Sequence, residues 1–336
     1  MTPIFDGHND ILLRLWLAGD SSGQRFISGN PETHIDWPRA QAGGLAGGFF
    51  AMFTPSPGKT LLSTTAIDPA HAVTVTNGMI SIFDHLHDHH PDAFRRCLAA
   101  DDVTAAMADG VMAAILHIEG AEAIEASLDN LETLYQRGLR SIGPVWSRSN
   151  VFGHGVPFDF PGSPDQFPGL SDHGKALVRA CDELGIMLDC SHLNAAGFDD
   201  IAAISTRPVV ATHSNSHALC PSPRNLTDRQ LDMIAESGGM VGLNFATAFL
   251  REDGAKTTDT SLEVMIRHLD HMIMRLGEDH IGLGSDFDGA IIPGEIGDCA
   301  GLPKLVQAMA DHSFGDALIE KICHRNWVDQ IRSQIG

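Results

Sequence analysis

The chain has 336 residues, 43% of them hydrophobic and 19% charged, with a formal net charge of −21. That length and apolar content support a sizeable packed core and exclude extended disorder. The excess of carboxylates repels phosphate backbones and anionic bilayers, which makes nucleic acid and membranes poor partners.

In chain order, short apolar runs flanked by glycine alternate with longer amphipathic patterns. "PIFDGH" (3–8) is the first predicted strand, followed by "GGLAGGFFAMF" (43–53), "GVMAAILHIEG" (110–120) and "LRSIGPV" (139–145). "GIMLDCSH" (185–192), "RPVVATHS" (207–214), "GGMVGLNF" (238–245) and "DHIGLGSDFDG" (279–289) bring the set to eight. Apolar character on both faces suits strands covered on both sides, as in a parallel sheet. Between them, Ser171 opens "SDHGKALVRACDELG" and Thr227 precedes "DRQLDMIAESGG", each an N-cap followed by a terminal glycine. Leu262, Met265, Ile266, Leu269, Met272, Ile273 and Leu276 recur at helical spacing and define one face of a helix over 262–276.

Eight strands alternating with helices predict an α/β fold, a (β/α)₈ barrel forming one domain over 1–336. The competing doubly wound sheet, in its dinucleotide-binding form, wants G-x-G-x-x-G after the first strand, and "DGHND" does not supply it. Three long loops are expected at 54–70, 147–170 and 286–303. The middle one is rich in Gly, Pro and Phe and reads as a packed lid.

No run approaches the ~20 apolar residues that span a bilayer. Asp6 and Asp10 interrupt the N-terminal region, and "RNWVDQIRSQIG" at the other end is polar. Neither a signal peptide nor a lipid-anchor tail is expected, which places the protein in the cytoplasm. Six cysteines without a C-x-x-C pair agree with reduced thiols.

In a barrel of this kind the chemistry sits at the C-terminal ends of the strands. The first predicted strand ends with His8 and Asp10, the third with His117 and Glu119, and the fifth with Asp189 and His192. The sixth ends with His213 and the eighth with Asp286 and Asp288. Each has a plain alternative: an Asp-Gly turn beside a surface histidine, a Glu119–arginine pair, hydrogen-bonded core histidines. Taken together they form a ring of imidazole and carboxylate, the donor set of zinc and its neighbours. His8 and Asp10, at i and i+2 of a strand, share a side, with Asn9 pointing away. Glu119 becomes the natural bridge between two cations, because none of the five lysines ends a predicted strand to serve as a carboxylated bridge. Asp286 is the candidate for proton transfer beside a metal-activated water. Asp288 is expected to cap the following turn. Arg224, in the loop after the sixth strand, suits a substrate carboxylate. "HLHDHH" (85–90), His268 and His271 read as solvated helix positions.

"DGHND", "HIEGAEAI", "GLSDHGKALVRACDELGIMLDCSH", "VVATHSNSHAL", "PRNLTD" and "GSDFDG", in this order, resemble the membrane (renal) dipeptidase family of zinc peptidases, peptidase family M19, in a soluble bacterial form. The resemblance runs from about residue 4 to the C-terminus. It implies a (β/α)₈ barrel, two Zn²⁺ per chain, a dipeptide substrate and a homodimer. His8 and Asp10 match the ligands of the first metal, Glu119 the bridge, and His192 and His213 the ligands of the second. Arg224 matches the arginine that holds the substrate's terminal carboxylate, and Asp286 the aspartate that handles the proton. One position departs. Where the mammalian branch has a substrate-contacting histidine, this chain has Trp146, and His154 is the nearby residue that could replace it. The implied reaction is attack of a metal-bridging hydroxide on the peptide carbonyl, with Asp286 relaying the proton to the departing amine. The alternatives are a related amidohydrolase acting on a non-dipeptide amide or lactam, and an inactive barrel that only binds.

Overall fold

The apolar runs close into a parallel barrel. The computed structural model describes residues 2–58 and 62–335. Its strands are β1 (Ile4–Asn9), β2 (Leu45–Phe53), β3 (Phe94–Arg96), β4 (Met112–Glu119), β5 (Leu139–Gly143), β6 (Met187–Leu188), β7 (Val210–Ser214), β8 (Met240–Leu243) and β9 (Ile281–Leu283). They pair in the order β6-β5-β4-β2-β1-β9-β8-β7, all parallel. Asp189 bridges Val210, and the Cys190 N–H donates to the Val210 carbonyl at 2.8 Å, so β6 meets β7 and the ring closes. This is the expected (β/α)₈ barrel.

The ninth strand, β3, was not expected. It lies beside Met112–Ala114 of β4, on the edge that β5 takes over from Leu116 onward. Its three residues, Phe94-Arg95-Arg96, form no apolar run, so pattern alone carries no sign of it.

Several helices begin and end where their caps require. Ser171 Oγ accepts from the Gly174 N–H, and Gly185 closes that helix in the left-handed region. Thr227 and Gln230 form a capping box, with Gly238 as the matching stop. The helix Leu262–Leu276 spans the residues its periodicity predicted. His268, expected among solvated charges, instead lies in the core, where its ring accepts from the Ser216 N–H and meets the Leu250 carbonyl. All six cysteines are free and buried. Among the described residues, no helix is long and apolar enough to cross a membrane.

Inside the barrel the N-terminal end is plugged. Phe5, Phe49, Ile115, Met187, Val210 and Met240 converge there on Trp327, which enters from the C-terminal helix. Trp327 meets Phe49 edge-on at 5.5 Å and donates its indole N–H to the Leu283 carbonyl at 2.9 Å. Burying each of these large side chains stabilises the fold by roughly 1.5–3 kcal/mol. Gly7 has its explanation here. A Cβ would stand 2.3 Å from the Thr212 carbonyl oxygen and 2.5 Å from the Trp327 ring, so "DGH" is close packing within a strand and not a turn.

The long loops gather at the opposite end. Arg148 ties two of them together. It donates to Glu122 Oε1 at 2.7 Å, to the Thr54 carbonyl at 2.7 Å and to Ser56 Oγ at 3.3 Å. Lys59, within the expected 54–70 loop, lies outside the described residues.

Candidate metal centre

An irregularity between Asp6 and Asn9 in the β1–β2 ladder, and another between Ala211 and Ser214 in the β7–β8 ladder, interrupt simple alternation. They leave His8 and His213 facing the barrel axis, with their rings stacked at 3.8 Å. Asp10 lies beyond the strand, at the start of the helix Ile11–Leu17, and its Oδ2 is 3.5 Å from His8 Nε2. The pair expected from strand alternation therefore meets through a bulge and a helix start. Asn9 turns away as expected and donates to the Phe49 carbonyl at 3.2 Å.

Glu119 closes the cage. Its Oε1 lies 2.9 Å from His192 Nε2, 3.4 Å from His213 Nε2 and 3.7 Å from His8 Nε2. The Nε2 atoms of His192 and His213 are 3.2 Å apart. Their orientation is set from behind. The Thr212 hydroxyl donates to Asp189 Oδ2 at 2.6 Å, so its oxygen accepts the Nδ1–H of His213 at 2.8 Å. That fixes His213 as the tautomer whose Nε2 lone pair faces the cage. Ser147 Oγ lies 2.9 Å from His192 Nδ1 and holds that ring in place.

Burial, with Arg224 adding to it, holds His192 and His213 well below the usual histidine range. Both are therefore neutral, the state a metal ligand needs. Burial also raises the Glu119 carboxyl well above its usual value, and Asp10 and Asp286 add to that effect. Burial opposes the charge on His8, but Glu119 and Asp10 prevail and carry it up to about 10. The cage thus packs facing lone pairs and three carboxyl groups into one buried volume, an arrangement that a divalent cation relieves.

The donor set fits such an ion. Ligands held tetrahedrally at zinc distances stand roughly 3.3–3.5 Å apart. The observed separations, from 2.9 to 3.7 Å, bracket that value. Both ring nitrogens of His8 are buried without a hydrogen-bond partner among the described residues. Two groups converge at this end: His8, Glu119 and His213, and His8, Asp10 and Asp286.

Asp286 lines the same cavity as Glu119. It holds a φ of 57°, which non-glycine residues seldom adopt. Its N–H donates to the His8 carbonyl, and Asn244 Nδ2 donates to its Oδ2 at 3.0 Å. Burial and the nearby Asp10 raise its carboxyl above the ordinary range. Gly289 makes room for this pair, since a Cβ there would lie 2.2 Å from Asp10 Oδ2 and 2.5 Å from Asp286 Oδ1. Asp288 does not cap the following turn. It accepts the His34 N–H at 2.7 Å and returns its own N–H to His34 Nδ1 at 2.9 Å, joining segments far apart in sequence.

A cavity of about 610 Å³ opens above the cage, with Asp10, Glu119, His192 and Asp286 in its lining. Trp146 forms part of its wall, packed on Phe53 at 4.9 Å and Phe158 at 5.3 Å. Arg224 lies behind His213. It donates from Nη1 to the Ser191 carbonyl and Ser214 Oγ, and from Nη2 to the His213 carbonyl. Of its five N–H donors these use three, leaving Nε, which is buried and unpartnered, and one on Nη2. His154 is not brought to the cavity. Its Nδ1 meets Ser149 Oγ at 2.8 Å and its ring stacks on Phe167.

Two members of the expected ring, His117 and Asp189, are not at the mouth but support it from below, while Asp6, Thr212, Ser147 and Asn244 were not singled out for such a role. His117 meets Ser141 Oγ at 2.9 Å and stands 3.6 Å from Asp189 Oδ2, one layer below the cage. Asp6 accepts from both Ser285 N–H and Ser285 Oγ at 2.6 Å and fastens the end of β1 to the segment after β9. Of the groups not singled out, Thr212 had a local signal, its place beside His213 in sequence. Ser147 and Asn244 come from other loops and had none.

Residues 1–333 match the family model described as membrane dipeptidase, peptidase family M19. A solved metallopeptidase called dipeptidase AC is 52% identical, covers 100% of both chains and superposes with a TM-score of 0.97. A metallopeptidase from Rhodobacter sphaeroides, solved with a phosphinate mimic of the dipeptide L-Ala-D-Ala, is 50% identical over 99% of each chain, with a TM-score of 0.95. An uncharacterized protein from the pqqA 5′ region of Klebsiella pneumoniae is 44% identical over 79% of this chain and 98% of its own.

Proposed function

The chain belongs to the membrane dipeptidase family, peptidase family M19, and on that premise we propose that it is a binuclear zinc dipeptidase. The observation that carries the reading is the convergence of Glu119 with the Nε2 atoms of His8, His192 and His213 at the floor of one open cavity. His8 and Asp10 would hold one zinc, His192 and His213 the other, and Glu119 both. When bound, the zinc pair supplies Lewis acidity and generates hydroxide from water at neutral pH.

The remaining chemistry belongs to the chain's own side chains. Asp286 takes the proton of the attacking water and gives it to the departing amine. Asn244 occupies its Oδ2, which leaves Oδ1 as the oxygen that carries the proton. Arg224 offers its two remaining N–H donors to the substrate's terminal carboxylate. Trp146, in place of a polar residue, contributes apolar surface and helps to exclude water. The relative solved with a phosphinate mimic of L-Ala-D-Ala supports a dipeptide as substrate, since a phosphinate imitates the tetrahedral state of a hydrolysed peptide bond.

The test is a zinc-loaded preparation offered free dipeptides and their N-acetylated forms. Two zinc ions per chain, with turnover of the free dipeptides only, is the expected result. Equal turnover of the blocked forms points to a broader amidohydrolase and overturns the assignment.

A further inference from the structure

Among the described residues, nine large apolar side chains are exposed, and four of them line the mouth of this one cavity. They are Leu17 (40% exposed), Leu62 (54%), Phe158 (39%) and Ile291 (47%). They come from four separate parts of the chain: the end of the helix Ile11–Leu17 and the loops that follow β2, β5 and β9. Exposed apolar groups scattered singly need no explanation, but a contiguous set marks a surface that something covers. The collar is also anchored. Arg148 donates to the Ser63 carbonyl beside Leu62 at 3.4 Å, and the Ile291 carbonyl accepts from the Thr247 N–H at 2.9 Å. Phe158 stacks on Phe249 with ring centroids 6.2 Å apart and meets Trp146 edge-on.

Below the collar the aromatic wall continues inward. Phe249 lies over the Arg224 guanidinium, 5.4 Å from ring centroid to Cζ. Arg224 itself lies just behind this lining, so on its proposed role the aromatic side is the one nearest the substrate's terminal carboxylate. At about 610 Å³ the space falls within the ~300–1,000 Å³ range that holds drug-sized ligands. Two alanines would leave most of it filled with water against apolar walls.

Resting on the dipeptidase reading, we propose that this collar selects dipeptides whose C-terminal residue carries a large apolar side chain, seated against Phe158, Phe249 and Trp146. Its occupant is the substrate because the cavity that these side chains line also has Asp10, Glu119, His192 and Asp286 of the cage in its lining.

The experiment compares kcat/KM of the zinc-loaded protein for Ala-Ala, Ala-Leu and Ala-Phe, with L- and D-configured C-terminal residues, and for the reversed Leu-Ala and Phe-Ala. Calorimetry with phosphinate mimics of Ala-Ala and Ala-Phe reads affinity without turnover. Ala-Phe is expected to exceed Ala-Ala by about 10- to 100-fold in one configuration, with the reversed dipeptides gaining less. In Phe158→Ala the Phe-to-Ala ratio falls toward one, Phe158→Leu restores most of it, and Met274→Ala, exposed but away from the cavity, leaves it unchanged. A ratio near one in the unaltered protein, while Ala-Ala is turned over, overturns this inference and leaves the dipeptidase reading standing. Failure of every dipeptide overturns both. If Phe158→Ala changes only the association state, the collar is a contact between copies of the chain and the inference is wrong.

Discussion

On the floor of the cavity, His8, Asp10, Glu119, His192 and His213 are each at most 7% exposed and stand at or just beyond the strand ends. On its rim, Leu17, Leu62, Phe158 and Ile291 are each at least 39% exposed and come from loops or the last turn of a short helix. The floor is held by directional partners. Ser147 fixes His192, Thr212 fixes His213, and Asn244 fixes Asp286. The rim is held by packing and by the backbone of its loops. A buried polar group that loses its partner costs far more than an exposed apolar one that loses a contact. Changes to the floor should therefore strike every substrate alike, while changes to the rim should reorder substrates.

The sharpest test of that division is His213→Ala. It removes one of the three Nε2 atoms around Glu119. Loss of metal-borne charge stabilisation of about 4 kcal/mol corresponds to a roughly 10³-fold fall in kcat/KM. The fall is expected to be the same for every dipeptide, together with loss of bound zinc measured by elemental analysis. A variant that kept its zinc, or lost activity on one dipeptide only, would break the division between floor and rim.

Asp286→Asn is expected to separate proton transfer from metal binding. Zinc content stays as in the parent, and kcat falls by about 10²–10⁴-fold with little change in KM. If zinc is lost as well, Asp286 belongs to the cage and not to the proton path. Thr212→Val keeps the shape but removes the hydroxyl between Asp189 and His213. Losses of this kind cost about 10–100-fold in metal affinity, which a zinc titration against a chelator reads directly. Unchanged affinity would mean that His213 is held by packing, as the rim is.

The same contrast explains what was legible in the sequence. The barrel could be read because strands covered on both faces leave unbroken apolar runs, and the Leu262–Leu276 helix because its face repeats at helical spacing. The candidate ligands could be picked out because each stands at or just after such a run. β3 escaped because three residues hold no pattern. The route by which His8 meets Asp10 escaped because a bulge is a property of the ladder and not of the residues in it. Arg224 was singled out, but its engagement with the Ser191 and His213 carbonyls depends on how its loop returns to β7. The rim was invisible for a simpler reason: Leu62, Phe158 and Ile291 lie in loops without periodicity, and only closure of the barrel puts them side by side.

The smallest expected effect lies where floor and rim join. His34 and Asp288 exchange two hydrogen bonds there, one of which requires an unprotonated His34 Nδ1. Burial, with Arg14 close by, pushes His34 down to about 4, against ~6.5 for an unfolded histidine. Between those values the folded state binds fewer protons at His34 than the unfolded state does. Its contribution to stability is therefore full above pH ~6.5 and is lost as pH falls toward 4. Asp288 runs the other way, because burial pushes it up to about 7. The folded state keeps a proton there that the unfolded state has released, so acidification over the same window favours folding. The two slopes oppose each other in the parent protein. His34→Gln removes one and leaves the other, so Tm should fall less between pH 7 and pH 5 in the variant, by about 2–4 °C. Scanning calorimetry of both proteins at the two pH values measures the difference. Parallel shifts would mean that the seam titrates with the floor, and the boundary between the two regions would then have to be drawn outside His34.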